Sequence, residues 1–451
     1  KILEENLLGV RVDGQLAKEH VPPKGRVLGN YPETNYDFYP FCGIHRPVLL
    51  YAIPNIGIKD ITVITLIKDT LGILDIKLET IGIVGATARF SLRGFETDLI
   101  KEFKIEDNIQ EITLEVKSAK FWDTKNPNLY NLTIEVLKDS AVIDSYSLWV
   151  GIRTIEVIGD KLLLNGKPVY LKGFGRHEDF PITGRGYVPA VIIKDYSLME
   201  WIGANSFRTS HYPYSEQMMD MADRLGFLVI DEIPAVGLTF NRNVIERELE
   251  LCTQYIQELI SRDKNHPSVI MWSLANEPHS SAKSKEFFKN LYDQTKVLDK
   301  SRPITVVNMM GVREKAFEFC DILCINRYYG WYLQPGKIDE ACQSLSEEID
   351  KLYERYHKPI LLSEFGADTI PGWHSQPPEM FSEEYQAEFI EKYIEVCRSK
   401  PYLVGEHVWN LCDFKTSQGI TRMGGINYKG VFTRDRKPKM AAHLLRKLWK
   451  K

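Results

Sequence analysis

The chain has 451 residues, more than a single hydrophobic core organises, so two or three domains are expected. Apolar residues make up 44% and charged residues 26%, ordinary globular usage that excludes a disordered or collagen-like chain. With 57 basic against 61 acidic side chains the net charge is -4, so nothing in the overall field points to nucleic acid as a partner.

No apolar run approaches the roughly 20 residues that span a bilayer, and no membrane partner is expected. The start KILEENLLGV lacks a secretory apolar core followed by a cleavage site. Seven irregularly spaced cysteines (Cys42, Cys252, Cys320, Cys324, Cys342, Cys397, Cys412) suit reduced thiols in a cytoplasmic enzyme better than a disulfide framework. There is no CxxC pair and no HExxH, and no cofactor or metal is expected.

From about residue 57 to 157 the chain reads as short strands rich in Ile, Val, Thr and Leu, among them DITVITLI, ILDIKLETI, QEITLEV and YNLTIEVL. With no convincing helix between them they predict an immunoglobulin-like β-sandwich. From residue 158 to 451 the texture alternates. Eight candidate strands, at 169–175, 204–210, 227–233, 269–277, 304–310, 322–329, 360–367 and 404–411, are separated by segments of helical period such as SEQMMDMADRLG. This pattern predicts a (β/α)8 TIM barrel, whose chemistry sits at the C-terminal ends of its strands.

Several candidate strands end in polar groups that a packed core would not select: GRHED, RTSHY, DE, NE, NRYY and SE, with the aromatic Trp409 closing the last. Glu277, in SLANEP, precedes a proline that stops the fourth strand, and Glu364, in LLSEFGAD, closes the seventh. Either glutamate alone reads as an ion-pair partner at a strand end. Two carboxyls facing one cleft are the equipment of glycoside hydrolysis, one as acid and base, the other as nucleophile in a retaining enzyme.

At these residues the chain resembles glycoside hydrolase family 2, and within it the β-glucuronidases. The matching segments are NYDFYPFCGIHRPVLLY, KGFGRHED, GANSFRTSHYPYSE, RDKNHPSVIMWSLANEP, INRYYGWY, LLSEFGAD, EHVWNLCDFKTSQG and NYKGVFTRDRKPK. The resemblance implies Glu277 as acid/base and Glu364 as nucleophile, with Asn276 bonding the sugar 2-hydroxyl and Arg208 and Tyr328 holding Glu364 ionised. It also implies His177 and His211 on the sugar pocket, Asn326 and Tyr332 in the NRYYGWY segment, Trp409 stacking on the sugar, and Asp37 reaching it from the N-terminal side. For the histidines a core or metal role, and for Trp409 plain core packing, are the competing readings. Members of the family begin with a long jelly-roll sugar-binding domain, of which residues 1–56 resemble the last portion, so an exposed apolar face is expected there. Between IDEIPAVG and ISRDKNHP the chain is short, which suggests an open cleft.

The basic stretch GGINYKGVFTRDRKPK at 424–439 invites a polyanion reading, which the resemblance narrows. In the β-glucuronidases an Asn and a Lys two residues apart discriminate the sugar carboxylate; here they are Asn427 and Lys429, with Arg422 as a further contributor and Tyr332 completing the site. Arg434, Arg436, Lys437 and Lys439 then serve the scaffold or solvent. The expected partners are glucuronide small molecules or oligosaccharides, and the resemblance implies a homo-oligomer, tetramer or dimer. A galacturonidase or galactosidase of the same family, and a non-catalytic carbohydrate-binding remnant, are the competing functions.

Overall fold

The computed structural model describes residues 7–25, 31–240 and 243–450. Seven strands build the first compact unit: β1 (Gly57–Lys68), β2 (Leu71–Ile81), β3 (Thr87–Gly94), β4 (Thr97–Lys104), β5 (Ile109–Val116), β6 (Tyr130–Lys138) and β7 (Ala141–Val150). They form two antiparallel sheets, ordered β1-β2-β5 and β4-β3-β6-β7. Alternation makes the sandwich: in β2 every second side chain is buried, and Leu74, Ile76 and Leu78 meet Phe90, Leu92, Leu132 and Ile134 of the facing sheet. The segments read as strands from the sequence fall on β1, β2, β5 and β6; the central β3 and the outer β4 and β7 are not among them, and β4 and β7, with mostly exposed residues, have little apolar alternation to read.

A small antiparallel sheet, β8 (Ile155–Ile158), β9 (Lys161–Leu164) and β10 (Lys167–Pro168), spans the boundary expected at residue 158. Its Ile155, Leu162 and Leu164 share one buried cluster with Trp122 and with the barrel-strand residues Leu171, Leu228, Ile270 and Leu361. Apolar packing thus fills the N-terminal end of the barrel and leaves the other end for chemistry.

All eight expected barrel strands are present and close on one another in chain order: β11 (Leu171–Gly175), β12 (Ser206–Arg208), β13 (Leu228–Glu232), β14 (Val269–Asn276), β15 (Ile304–Asn308), β16 (Leu323–Asn326), β17 (Ile360–Phe365) and β18 (Leu403–Trp409). Every neighbouring pair is parallel. Helices wrap the outside because each has one apolar face. In the helix Glu216–Leu225, Met218, Met219 and Ala222 are buried, the Ser215 side chain caps the first turn and Gly226 ends the helix at φ 74°.

The sandwich grips the barrel below the fourth strand. Asn265 accepts from the Val63 amide at 2.9 Å and donates to the Ile61 carbonyl at 2.8 Å, while Arg153 donates to the carbonyls of Pro267 and Val269. The described part of 1–56 contains only isolated bridges and no extended sheet strand. It runs along the barrel mouth, where Thr34 bonds Ser417 and the Tyr39 amide donates to the Lys415 carbonyl. As expected, Leu7, Leu8, Val48, Leu49, Leu50 and Tyr51 lie exposed.

The seven cysteines are all free. Among the described residues no helix is long and apolar enough to cross a membrane.

Candidate active site

The strand ends converge on a cavity of about 300 Å³. Nine of the expected residues line it: Asp37, His211, Asn276, Glu277, Tyr328, Tyr332, Glu364, Trp409 and Arg422. Arg208, Asn326, Asn427 and Lys429 are not on the wall; they stand one layer behind it and fix the groups that are.

Arg208, at the end of β12, is fully buried and shares its guanidinium between two carboxylates. Its Nη1 donates to both oxygens of Glu232 at 2.8 Å, and its Nη2 donates to Glu364 Oε1. Glu232 also accepts from Ser273 at 2.7 Å and from His211 Nδ1 at 2.8 Å, which assigns the imidazole proton to Nδ1. Burial works against the charge on Glu232, but Arg208 and His211 outweigh it and hold the carboxyl below its usual range. Sequence reading noted the DE strand ending without giving Glu232 a role. Its signal, a charged residue at the end of an otherwise apolar run, was present, but its partners lie on other strands.

Asn326 orders the other side. Its amide donates to Glu277 Oε1 at 2.8 Å and to Asn276 Oδ1 at 3.2 Å, and its carbonyl accepts from Ser363 at 2.9 Å. Asn276, on the cavity wall, therefore keeps its N–H groups for a ligand. Glu277 takes a left-handed backbone, φ 49°, with its amide bonded to the Val307 carbonyl at 2.9 Å. This turn directs the carboxyl into the cavity, and it is a conformation that non-glycine residues adopt rarely.

Burial pushes both carboxyls up: Glu364 to about 8, with Glu277 adding repulsion, and Glu277 in the same direction. The hydrogen bonds at Glu364 pull the opposite way. Its Oε1 accepts from Arg208 and its Oε2 from the Tyr328 phenol at 2.7 Å, so a cationic and a neutral donor both stabilise the ionised form. Glu277 accepts a single amide bond and has room for a proton. Two donors at Glu364, one of them cationic, against a single amide at Glu277 favour the negative charge of the pair on Glu364.

At the far end of the cavity Arg422 Nε meets Asp37 Oδ1 at 2.8 Å, and Asn427 Nδ2 meets Asp37 Oδ2 at 2.8 Å. Lys429, fully buried, donates to Asp368 Oδ2 and to the Tyr332 hydroxyl, the latter at 2.8 Å; Arg422 Nη2 reaches the same hydroxyl at 2.6 Å. Burial opposes charge on Asp368, yet Lys429 and Arg422 hold its carboxyl below the usual range. Asp368 is a second residue that sequence reading did not single out. Of the other basic residues in the stretch, Arg434 pairs with Asp179, Arg436 with Asp195 and Lys439 with Asp413, all within the scaffold, while Lys437 is exposed; Lys429 lies behind the cavity wall rather than on it.

His177 departs from the expectation that it lines the pocket. Its ring packs 4.3 Å from Phe414 and 5.3 Å from Trp409, and its Nδ1 lies 3.1 Å from the Tyr212 hydroxyl. Burial, then the neighbouring His211 and arginines, push its pKa well down, so it is a neutral ring supporting Trp409 from behind. Trp409 itself is on the cavity wall, stacked 5.1 Å from His211.

A closed parallel barrel presenting two buried carboxyls to one cavity at its strand ends has the architecture of a glycoside hydrolase. The family description "Glycosyl hydrolases family 2, TIM barrel domain" matches residues 155–451, and "Glycosyl hydrolases family 2" matches residues 56–153. The chain belongs to glycosyl hydrolase family 2. It is 41% identical to a β-glucuronidase of Paenibacillus borealis, over 99% of this chain and 77% of that protein. To the β-glucuronidase of Mus musculus it is 40% identical, over 94% of this chain and 66% of that protein. Among solved structures, the β-D-glucuronidase of Dictyoglomus thermophilum aligns with a TM-score of 0.89 at 43% identity, covering 97% of this chain and 77% of that one. The β-glucuronidase of Ruminococcus gnavus in complex with D-glucuronic acid aligns with a TM-score of 0.89 at 38% identity, covering 96% and 75%.

Proposed function

We propose that this chain is a retaining β-glucuronidase, hydrolysing terminal β-D-glucuronic acid from glucuronides. One observation carries the reading: the cavity that holds the two carboxyls is bounded at its other end by Arg422 and the Tyr332 hydroxyl, with Asn427 and Lys429 directly behind. Arg422, with Lys429 behind it, and the neutral donors suit a sugar carboxylate even though each cation also pairs with an aspartate, because charge-assisted hydrogen bonds contribute roughly 1.5 to 3 kcal/mol each. The names of the relatives agree with this reading.

In the mechanism, Glu277 gives its proton to the glycosidic oxygen as the bond to the aglycone breaks, while the Glu364 carboxylate attacks the anomeric carbon to form a glycosyl ester. Glu277, now ionised, takes a proton from water; the water attacks the same carbon and the Glu364 carboxylate leaves. Arg208 and Tyr328 stabilise the charge that returns to Glu364. Asn276 offers its amide to the 2-hydroxyl, a bond that strengthens in the transition state.

The test is the anomer released, followed by proton NMR during hydrolysis of an aryl β-glucuronide. Retention predicts β-glucuronic acid first, with the α-anomer growing only by mutarotation; α-anomer as the first product would overturn it. A preference for the matching galacturonide would move the glycone assignment to the 4-epimer.

A further inference from the structure

Where the sandwich meets the barrel, at the start of the strand whose far end carries Glu277, Arg153 reaches from one unit to the other. Its backbone is held on β1: the Arg153 amide donates to Thr65 Oγ1 at 3.1 Å, and the same hydroxyl donates to the Arg153 carbonyl at 2.6 Å. Arg153 is only 6% exposed, and its guanidinium is spent on neutral oxygens, Nε on the Pro267 carbonyl at 3.1 Å and Nη2 on the Val269 carbonyl at 2.8 Å. Among the described residues Nη1 has no hydrogen-bond partner and no carboxylate pairs with this cation. A buried charge without a counterion is costly. Burial, then the neighbouring Arg302, push its pKa down to about 9.

Arg153 lines a recess of about 20 Å³, room for one particle of about the size of a water molecule. Lys264, His266 and Arg302 share the wall with Asn265 and Ser301, and among the described residues no Asp or Glu stands on it. The carboxylate partners of these cations lie outside the recess: Asp60 for Lys264, Asp299 for Arg302 and Asp223 for His266. Lys264 and Arg302 each carry more N–H groups than their bonds consume. Burial works against a proton on His266, but Asp223 and Asp263 outweigh it and raise its pKa to about 9, which adds one more positive neighbour. The recess is therefore cationic and rich in donors, and too small for a phosphate or sulfate to enter whole.

We propose that the junction binds one chloride, or another monovalent anion of that size, between Arg153, Lys264 and Arg302, and that the anion fastens the sandwich to the barrel. Arg153 follows the last strand of the sandwich, whereas Lys264 and Arg302 belong to the barrel, so an ion shared by the three is a contact between the two units.

Thermal unfolding of the full chain, with sodium gluconate replaced stepwise by sodium chloride at constant ionic strength, tests the site. Chloride should raise Tm saturably, by about 2 °C between about 1 and about 100 mM. Bromide should act alike, and phosphate at the same ionic strength should not. Lys264→Gln, which keeps Arg153 and its carbonyl bonds, should move the midpoint of the chloride response about tenfold higher, and Arg153→Gln should abolish the response. Chloride NMR line broadening reads the site without unfolding: the wild type should broaden the line in a way that bromide displaces, and Lys264→Gln should broaden it less. These two measurements on Lys264→Gln decide the matter if Arg153→Gln does not fold. A Tm response to chloride no larger than to gluconate, a chloride midpoint unchanged in Lys264→Gln, or a stronger response to phosphate would overturn the site. None of these readouts uses glycoside hydrolysis, so they stand whichever sugar the catalytic cavity takes.

Discussion

The two ends of the cavity are built by different means. The catalytic end is made on strands: Arg208 and Glu232 lie 24 residues apart on adjacent strands, both without solvent exposure. The clamp end is assembled from distant loops, with Asp37 and Arg422 separated by 385 residues and the Asp37 side chain 41% exposed. Each clamp cation already has a carboxylate partner, Arg422 with Asp37 and Lys429 with Asp368. On the proposed function, the catalytic end is a sealed charge network whose damage should affect the chemical step. The clamp is a compensated set of charges whose damage should affect which sugar is accepted.

Substitutions should separate these roles, beginning with the largest effect. Glu364→Ala is expected to lower kcat by at least about 10⁴-fold, as loss of a nucleophile does elsewhere, measured with an aryl β-glucuronide. Glu232→Gln leaves Arg208 buried with half of its compensation. Urea unfolding should show a loss of up to about 3 kcal/mol, accompanied by a fall in kcat with KM little changed. A KM effect alone would place Glu232 with the clamp instead.

The pH profile gives a smaller and signed effect. In the proposed mechanism Glu277 acts protonated, and burial raises its pKa, so kcat/KM should fall as pH rises past that raised value. The same mechanism needs Glu364 ionised, so kcat/KM should also fall toward acid as the pair takes up its second proton. In Glu277→Gln the alkaline limb should vanish for a substrate with an acidic phenol, whose departure needs no proton. An alkaline limb that persists would assign it to another group.

The barrel was legible because its strands are short, largely apolar runs, most with a polar residue at or beside the C-terminal end, and the eight runs match the eight strands closely. Glu277 and Glu364 were legible for the same reason. Pairing across the mouth was not, since the contacts of Glu232 with Arg208 and His211 depend on neighbouring strands and leave no local pattern. Asp368 is similar: a lone acidic residue after β17 becomes meaningful only when Lys429 folds onto it from 61 residues away. His177 was misplaced because the GRHED motif indicates a strand end without indicating which way a ring turns. The aromatic neighbours Phe38, Phe414 and Trp409 hold it behind the wall.

The central claim is that the clamp reads a sugar carboxylate, and the ratio of kcat/KM for aryl β-glucuronide over aryl β-glucoside, in the wild type and in Lys429→Ala, tests it most directly. The wild type should favour the glucuronide strongly. Lys429→Ala should lower that ratio by about tenfold to a hundredfold, because it removes the buried cation that fixes the Tyr332 hydroxyl and offsets Asp368 behind the wall, while glucoside hydrolysis changes little. An equal loss on both substrates, or a wild-type preference for the glucoside, would contradict the account.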